Sequence, residues 1–405
     1  MSIHYHSRQD YLDAVRSFAL LLGIAFHSAL SFMPIFIGWA VMDISTSSVV
    51  PSFILVSHSF RMALFFLIAG YFSHMTVHQK GVKSFMKSRL MRVGIPLLIG
   101  WFALRPLLVS GWVMGAESMR GDVNVVNALT SGFASLSELP NGLLIGTHLW
   151  FLYYLLLISI SVIALRSLIN LHSSTQHRLT QFADRIIKLM TRPSWVIVFI
   201  AIPIAIGLWF MQHWGLDTPD KSLVPHIPLF CIYGGFFLFG WILNRNKSAL
   251  ASFAHVSIIK FLLCAVSILG AIYLSSFQSN FSHSQYSLLK AGFMLSYAIM
   301  MCTLVSLSIG FCKKWLSKPN KWVRYVADAS FWLYLIHLPI VVWLQIAFAE
   351  LPLPWAVKLI SIFVITIGIS LALYDLMVRS TFIGATLNGK RKPRVVFTAK
   401  KYITH

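Results

Sequence analysis

Three ionisable side chains near the start of the chain, Asp13, Arg16 and His27, stand in or beside a stretch that is otherwise apolar: DAVRSFALLLGIAFHSALSFMPIFIGW, Asp13 to Trp39. At about 100° per residue, the step from Arg16 to His27 returns to nearly the same face of a helix. At ~1.5 Å per residue it also lifts His27 roughly 16 Å above Arg16. From Phe18 on, the stretch is apolar and long enough to cross a bilayer. That sets a proton-exchanging imidazole near the middle of a span, above a cation at the membrane edge. Ionisable groups at such depth are costly and mark functional sites by default. The plain alternative is a histidine satisfied by a neighbouring helix.

Four further clusters carry chemistry-bearing residues. In Lys87-Ser88-Arg89-Leu90-Met91-Arg92 the two arginines are three apart and share a helix face. Paired guanidiniums grip phosphate bidentately, although ordinary topology charge against lipid headgroups would read the same. Arg61, in HSFRMALFFLIAGYF, sits at the edge of an apolar run on the side where cations are scarce. It should face protein or a substrate carboxylate, or else snorkel outward. His148 and Trp150, in GTHLWFLYYLLL, could line an outer vestibule or belong to an interfacial aromatic belt. His337, in DASFWLYLIHLP, is a second intramembrane histidine one turn after Tyr334, and a helix-packing hydrogen bond explains it as readily as catalysis.

Other patterns are weaker. His74 and His78 have the spacing of two metal ligands, but no third is nearby in sequence, so no metal site is expected. GxSxG, Walker and HExxH motifs are absent. So is a histidine followed five residues later by aspartate. Cys231, Cys264, Cys302 and Cys312 lie in or at the ends of apolar runs with no CxxC pair, and read as small core residues.

The elements that must position these groups follow from composition. Apolar residues fill 57% of 405 positions and charged residues 11%, with a mean hydropathy of +0.75. A soluble domain carries about 25% charged residues, so the chain reads as an all-α polytopic membrane protein. Ten apolar runs fall near 17–39, 55–77, 93–114, 147–168, 194–214, 227–243, 256–276, 288–311, 328–348 and 355–377. MSIHYHSRQDYLD has no short apolar core with a small-residue cleavage site, so the first helix is expected to stay in place.

The net charge of +21 would suggest nucleic acid in a soluble protein. Here the cations alternate with the runs, as membrane topology demands, and no nucleic-acid partner is expected. Lys80, Lys83, Lys87, Arg89 and Arg92 follow the second run; Arg166, Arg178, Arg185, Lys188 and Arg192 the fourth; Lys313, Lys314, Lys318, Lys321 and Arg324 the eighth. The opposite loops hold Arg120, Lys221 and Lys358 beside Asp43, Glu117, Asp122, Glu138, Asp217, Asp220 and Glu350. The positive-inside rule then predicts about ten transmembrane helices with both termini cytoplasmic. Residues 1–378 read as one transmembrane domain and 379–405 as a basic cytoplasmic tail. The polar stretch of about 115–146 is long enough to cap a site on the outer face. Visible internal repeats are lacking, which weakens a transporter built from inverted halves.

Together these pieces resemble the acyltransferase-3 family of membrane-bound O-acyltransferases, and within it the OpgC-like osmoregulated periplasmic glucan succinyltransferases. The carriers are YLDAVRSFALLLGIAFH, SFRMALFFLIAGYF, SRLMRVGIP, HLWFLYYLLL and FWLYLIHLP, above all Arg16 with His27 and Arg89 with Arg92. The resemblance implies a ten-helix core with cytoplasmic termini in a bacterial inner membrane. It implies acyl-coenzyme A, carrying succinyl or acetyl, as the donor and an envelope glycan hydroxyl as the acceptor, with no permanently bound cofactor. Many members add an extracellular hydrolase-like domain; none is recognisable here, so transfer is expected to be completed by the membrane domain or a separate partner.

On that resemblance, Arg89, Arg92 and Lys87 would hold the donor phosphates. His27 would deprotonate the acceptor hydroxyl or briefly carry the acyl group. Arg16 would orient the donor or stabilise the thioester oxyanion, with Asp13 holding Arg16. Arg61 would meet a succinyl carboxylate, while His148, Trp150 and His337 would line the acceptor side. A transporter of acylated glycan is the rival reading, distinguished by transport without donor consumption. The sequence leaves homo-oligomer formation open.

Overall fold

Hydrocarbon offers backbone N–H and C=O groups no partner, so chains cross it as helices or as closed barrels. Here the apolar runs are helices. The computed structural model describes residues 10–118, 121–137, 147–190 and 196–396, among which there is no strand. Arg120, Glu138, Arg192, Lys400 and Lys401 lie outside the described residues.

The helices are α1 (Asp10–Ala29), α2 (Val50–Arg89), α3 (Ile95–Ser118), α4 (Val125–Ala134), α5 (Trp150–Ile169), α6 (Ser173–Met190) and α7 (Val196–Trp209). They continue with α8 (Ile227–Arg245), α9 (Lys247–Phe253), α10 (Ile258–Ser275), α11 (Tyr286–Trp315), α12 (Lys321–Phe348), α13 (Trp355–Leu373) and α14 (Phe382–Asn388).

Among the described residues, every expected apolar run coincides with a helix over most of its length. Among the described residues, 8 helical segments are long and apolar enough to cross a membrane. One of them, Val50–Ser118, joins two runs in 69 residues. That is roughly 100 Å of helix against a hydrocarbon core of ~30 Å. Its helical geometry breaks at Gly81, with φ 76° and ψ 167°, a conformation that only glycine adopts freely. The run at 194–214 holds the shorter α7, whose 14 residues rise roughly 21 Å.

Two expectations about the first run are corrected. The run drawn to residue 39 ends as α1 at Ala29 and one tight turn, Leu30–Phe32. Pro34 cannot donate to a continuing helix, and Gly38 takes a positive φ of 75°. His27 therefore sits in the last turn of α1 rather than near the middle of a long span. Helices also appear between the expected runs, among them α4 and α6. α4 occupies the polar stretch after α3, opened by Asn124, whose side chain accepts from the Asn127 N–H. α6 follows the fourth run and exposes Leu179 and Phe182 among basic residues, the composition of an interfacial helix.

The helices form two units. The first takes the chain through Ala19, with Ser52–Lys87 and Tyr154–Arg324. In it α2 and α8 approach to backbone contact. A Cβ on Gly70 would lie 1.9 Å from the Phe237 carbonyl oxygen, and one on Gly240 equally close to that of Leu67. Small residues permit this approach where lipid supplies no hydrophobic drive between helices. Lys260 is buried at the α9–α10 corner, its ammonium donating to the carbonyls of Phe253 and His255 and to the Ser306 hydroxyl.

The second unit takes Leu20–Pro51, Ser88–Tyr153 and the chain from Tyr325. Its core joins Ala40 and Val41, Leu108 of α3, and Leu338, Val342 and Ala349 around α12, with Trp39 and Trp112 packed against them. The segment after α1 is tied down by backbone bonds from Asp43 to Ser31, Ile44 to Ala349 and Ser47 to Phe32. Beneath it lies a fully buried ion pair, Lys358 Nζ to Asp43 Oδ1 at 2.7 Å. Beyond α13, residues 379–396 fold back within this unit. Asp375 accepts the N–H groups of Val395 and Val396, and Asp328 takes Lys392 and Arg379.

Candidate active site

Three elements of the second unit bring three imidazoles together. α1 supplies His27 from its last turn, the turn before α5 supplies His148, and the middle of α12 supplies His337. The ring centroids of His27 and His337 are 5.3 Å apart, and those of His337 and His148 5.4 Å. His148 and His337 are buried, while His27 is half-buried. Thr147, immediately before His148, holds a φ of 46°. That is a rare conformation for a β-branched residue, and such strain concentrates at functional sites.

Hydrogen bonding sets which ring nitrogens can accept. The Nε2 of His148 lies 2.9 Å from the Leu335 carbonyl, which only accepts, so Nε2 carries the proton and Nδ1 is the acceptor. In His337 the proton lies on Nδ1, directed at the Tyr334 carbonyl 2.8 Å away, and Nε2 is the accepting edge. Tyr334 also donates its hydroxyl to the His148 carbonyl at 2.6 Å, so the residue one turn before His337 fixes the backbone of the second histidine. The two backbone carbonyls thus fix the tautomer of each buried ring.

The surroundings of His27 include residues that sequence reasoning passed over. Trp39 stacks on its ring with centroids 5.8 Å apart at 19°, and the Phe26 ring stands edge-on at 5.1 Å. Trp112 packs edge-on to Trp39. Gln345 reaches from α12 to the last carbonyls of α1. The signal available beforehand was an isolated amide in an apolar run, VVWLQIAF, since polar side chains in such runs usually bond across helices.

The other expected site residues fall as follows. In the part of α1 that belongs to the first unit, Arg16 lies 3.7 Å from the buried carboxylate of Asp13. Arg89 and Arg92 both belong to the second unit, Arg89 half-buried and Arg92 exposed, close enough to feel each other's charge. They do not sit on a regular α-helical face, because residues Leu90–Gly94 form a π-helical turn. Such turns, with their wider i→i+5 bonds, occur often at functional sites. Arg92 packs over Gly389 of the C-terminal segment. Lys87 is exposed.

Trp150 opens α5 and is buried, as an interfacial belt residue would not be. Arg61 is buried in the first unit, where Tyr233 interacts electrostatically with it, with Tyr154 and with Tyr297. Arg61 thus faces protein, and a snorkelling role is excluded.

Residues 9–375 match the acyltransferase domain of the acyltransferase-3 family. The chain belongs to this family. Its apolar helices make it a multi-pass membrane protein. Glucans biosynthesis protein C of Escherichia coli strain K12 is 35% identical over 155 residues, 38% of this chain and 37% of that protein. Proteins of the same name from Escherichia coli O9:H4 strain HS and O139:H28 strain E24377A / ETEC show the same identity over the same length. The alignment spans about 37% of the length of these curated relatives. No solved structure matches the chain.

Proposed function

We propose that this protein moves an acyl group, succinyl or acetyl, from acyl-coenzyme A at the cytoplasmic face to a hydroxyl of an envelope glycan such as periplasmic glucan. It would do so in a bacterial inner membrane, with both termini in the cytoplasm. The name of the relatives, glucans biosynthesis protein C, supports the acceptor class. The observation that carries the reading is the group of His27, His148 and His337.

In this reading His148 and His337 line the acceptor side, beside His27. The imidazole of His27 takes the hydroxyl proton as the oxygen attacks the thioester carbonyl. A new C–O bond forms and the C–S bond breaks. The coenzyme A thiolate then leaves with the proton returned from His27. Arg16, braced by Asp13, answers the negative charge on the carbonyl oxygen or orients the donor. Arg89 and Arg92, with Lys87, bind the donor phosphates. Two cations held near each other repel, and a phosphate between them relieves that repulsion. Arg61 would recognise a free carboxylate on the acyl group.

The test is coenzyme A release and glycan ester formation in membranes carrying His27→Ala. Both should fall to background with the protein still present. Full transfer by His27→Ala would remove the central assignment. Weighing the ester substituents of envelope glycans from a deletion strain identifies the acyl group and the acceptor. Glycan export that persists without donor consumption would favour a transporter.

A further inference from the structure

We infer that Gln345 is a positioning residue for His27, setting its backbone and its ring through one buried amide. The inference rests on His27 being the reacting group, as proposed above. A helix leaves its last four carbonyls without intrahelical donors, and away from water such groups need a partner. The Nε2 of Gln345 donates to the carbonyl of His27 at 2.9 Å and to that of Ser28 at 3.1 Å. Its Oε1 accepts the indole N–H of Trp39 at 2.8 Å. Trp39 in turn lays its ring on the imidazole of His27.

The amide therefore closes a loop. It holds the end of α1 by the backbone and, through Trp39, holds one face of the side chain that this backbone carries. The His337 ring stands near that side chain as well, at 5.3 Å. Only one orientation of the amide works, because a flip would set NH2 against an indole N–H and oxygen against two carbonyls. The side chain of Gln345 is 0% exposed, so water cannot replace it. A hydrophobic residue of equal size would fill the space and release both the helix end and the indole.

The experiment measures kcat and donor KM for His27→Ala, Gln345→Leu, Trp39→Phe and the double variant, with yield and thermal melting in detergent as folding controls. Trp39→Phe keeps an aromatic face on His27 and removes the N–H bond. A misplacement of about 1 Å can cost a hundredfold in rate. We expect Gln345→Leu to lower kcat roughly ten- to a hundredfold with donor KM within about twofold. Trp39→Phe should show the same pattern to a smaller degree. The double variant should be no slower than Gln345→Leu, because both act through one connection. A residue that merely stabilised the fold would lower the melting temperature and leave kcat per folded molecule unchanged, which overturns the inference. Were Gln345→Leu not to fold, an unchanged kcat in Trp39→Phe would overturn it equally. An active His27→Ala instead overturns the proposed function, and the two failures are separate results.

Discussion

The buried pair Asp43–Lys358 gives the sharpest test of how the site is held. Both groups lie inside the second unit, with side-chain exposures of 1% and 0% and an Nζ to Oδ1 distance of 2.7 Å. Lys358 also donates to the Ala349 carbonyl at 3.1 Å, and Asp43 accepts the Ser45 N–H at 2.8 Å. At this distance and an effective dielectric of ~20, the attraction is about 6 kcal/mol. Desolvation of two ions offsets much of it, so the intact pair contributes little net stability. Removing one partner is another matter, because it leaves the other charge buried and alone. Lys358→Met and Asp43→Ala should each lose about 3–5 kcal/mol.

The combined Asp43→Ala/Lys358→Met variant should lose far less than the singles add up to, giving a coupling of about 2 kcal/mol or more. Unfolding titrations in mixed detergent micelles measure these differences. Because Asp43 anchors the segment that carries Trp39, each single variant should also lower kcat with little change in donor KM. Losses under about 0.5 kcal/mol in both singles, as for an exposed pair, would refute the energetic argument. Lost stability with unchanged kcat would refute the link to Trp39.

Other expectations concern the donor and the acyl group. Arg89→Ala with Arg92→Ala should raise the apparent donor KM roughly tenfold or more, since each charge-assisted bond contributes about 1.5–3 kcal/mol, with kcat largely kept. An unchanged KM returns the pair to a topology role. Gly389→Ala should raise the same KM more mildly. Its Cβ would fall 2.0 Å from Arg92 Nη2, and its φ of +82° disfavours any side chain; donor titration of the purified variant checks this. Arg61→Lys keeps the charge and loses the planar fork, so it should weaken a succinyl donor and spare an acetyl donor. Equal losses for both donors would remove the carboxylate-recognition idea.

How far the sequence could be read is clearest residue by residue. Asp13 beside Arg16 follows from a spacing of three on one helix, and that local geometry survives folding. The end of α1 was misplaced because an apolar run continues past the helix, and hydropathy alone does not register Pro34 and Gly38 as a stop. The π turn at Leu90–Gly94 was equally invisible, since nothing in the run marks one wider turn within regular periodicity. Asp43 and Lys358 looked like loop charges of opposite sign, and their burial as a pair depends on segments 315 residues apart.

By itself, the sequence determined the class of the protein, the helical state of its apolar runs and the inventory of ionisable groups they carry. Lipid forces that much, because a backbone in hydrocarbon must satisfy its own hydrogen bonds. Only the tertiary structure decided which of those groups meet. Periodicity assigns each residue to a face of its own helix, and the partner of that face is a non-local outcome of packing. His148 and His337 are 189 positions apart in the chain, yet their rings stand 5.4 Å apart. Gln345 finds the last carbonyls of α1 across 318 positions in the same way, and no reading of either helix alone could have paired them.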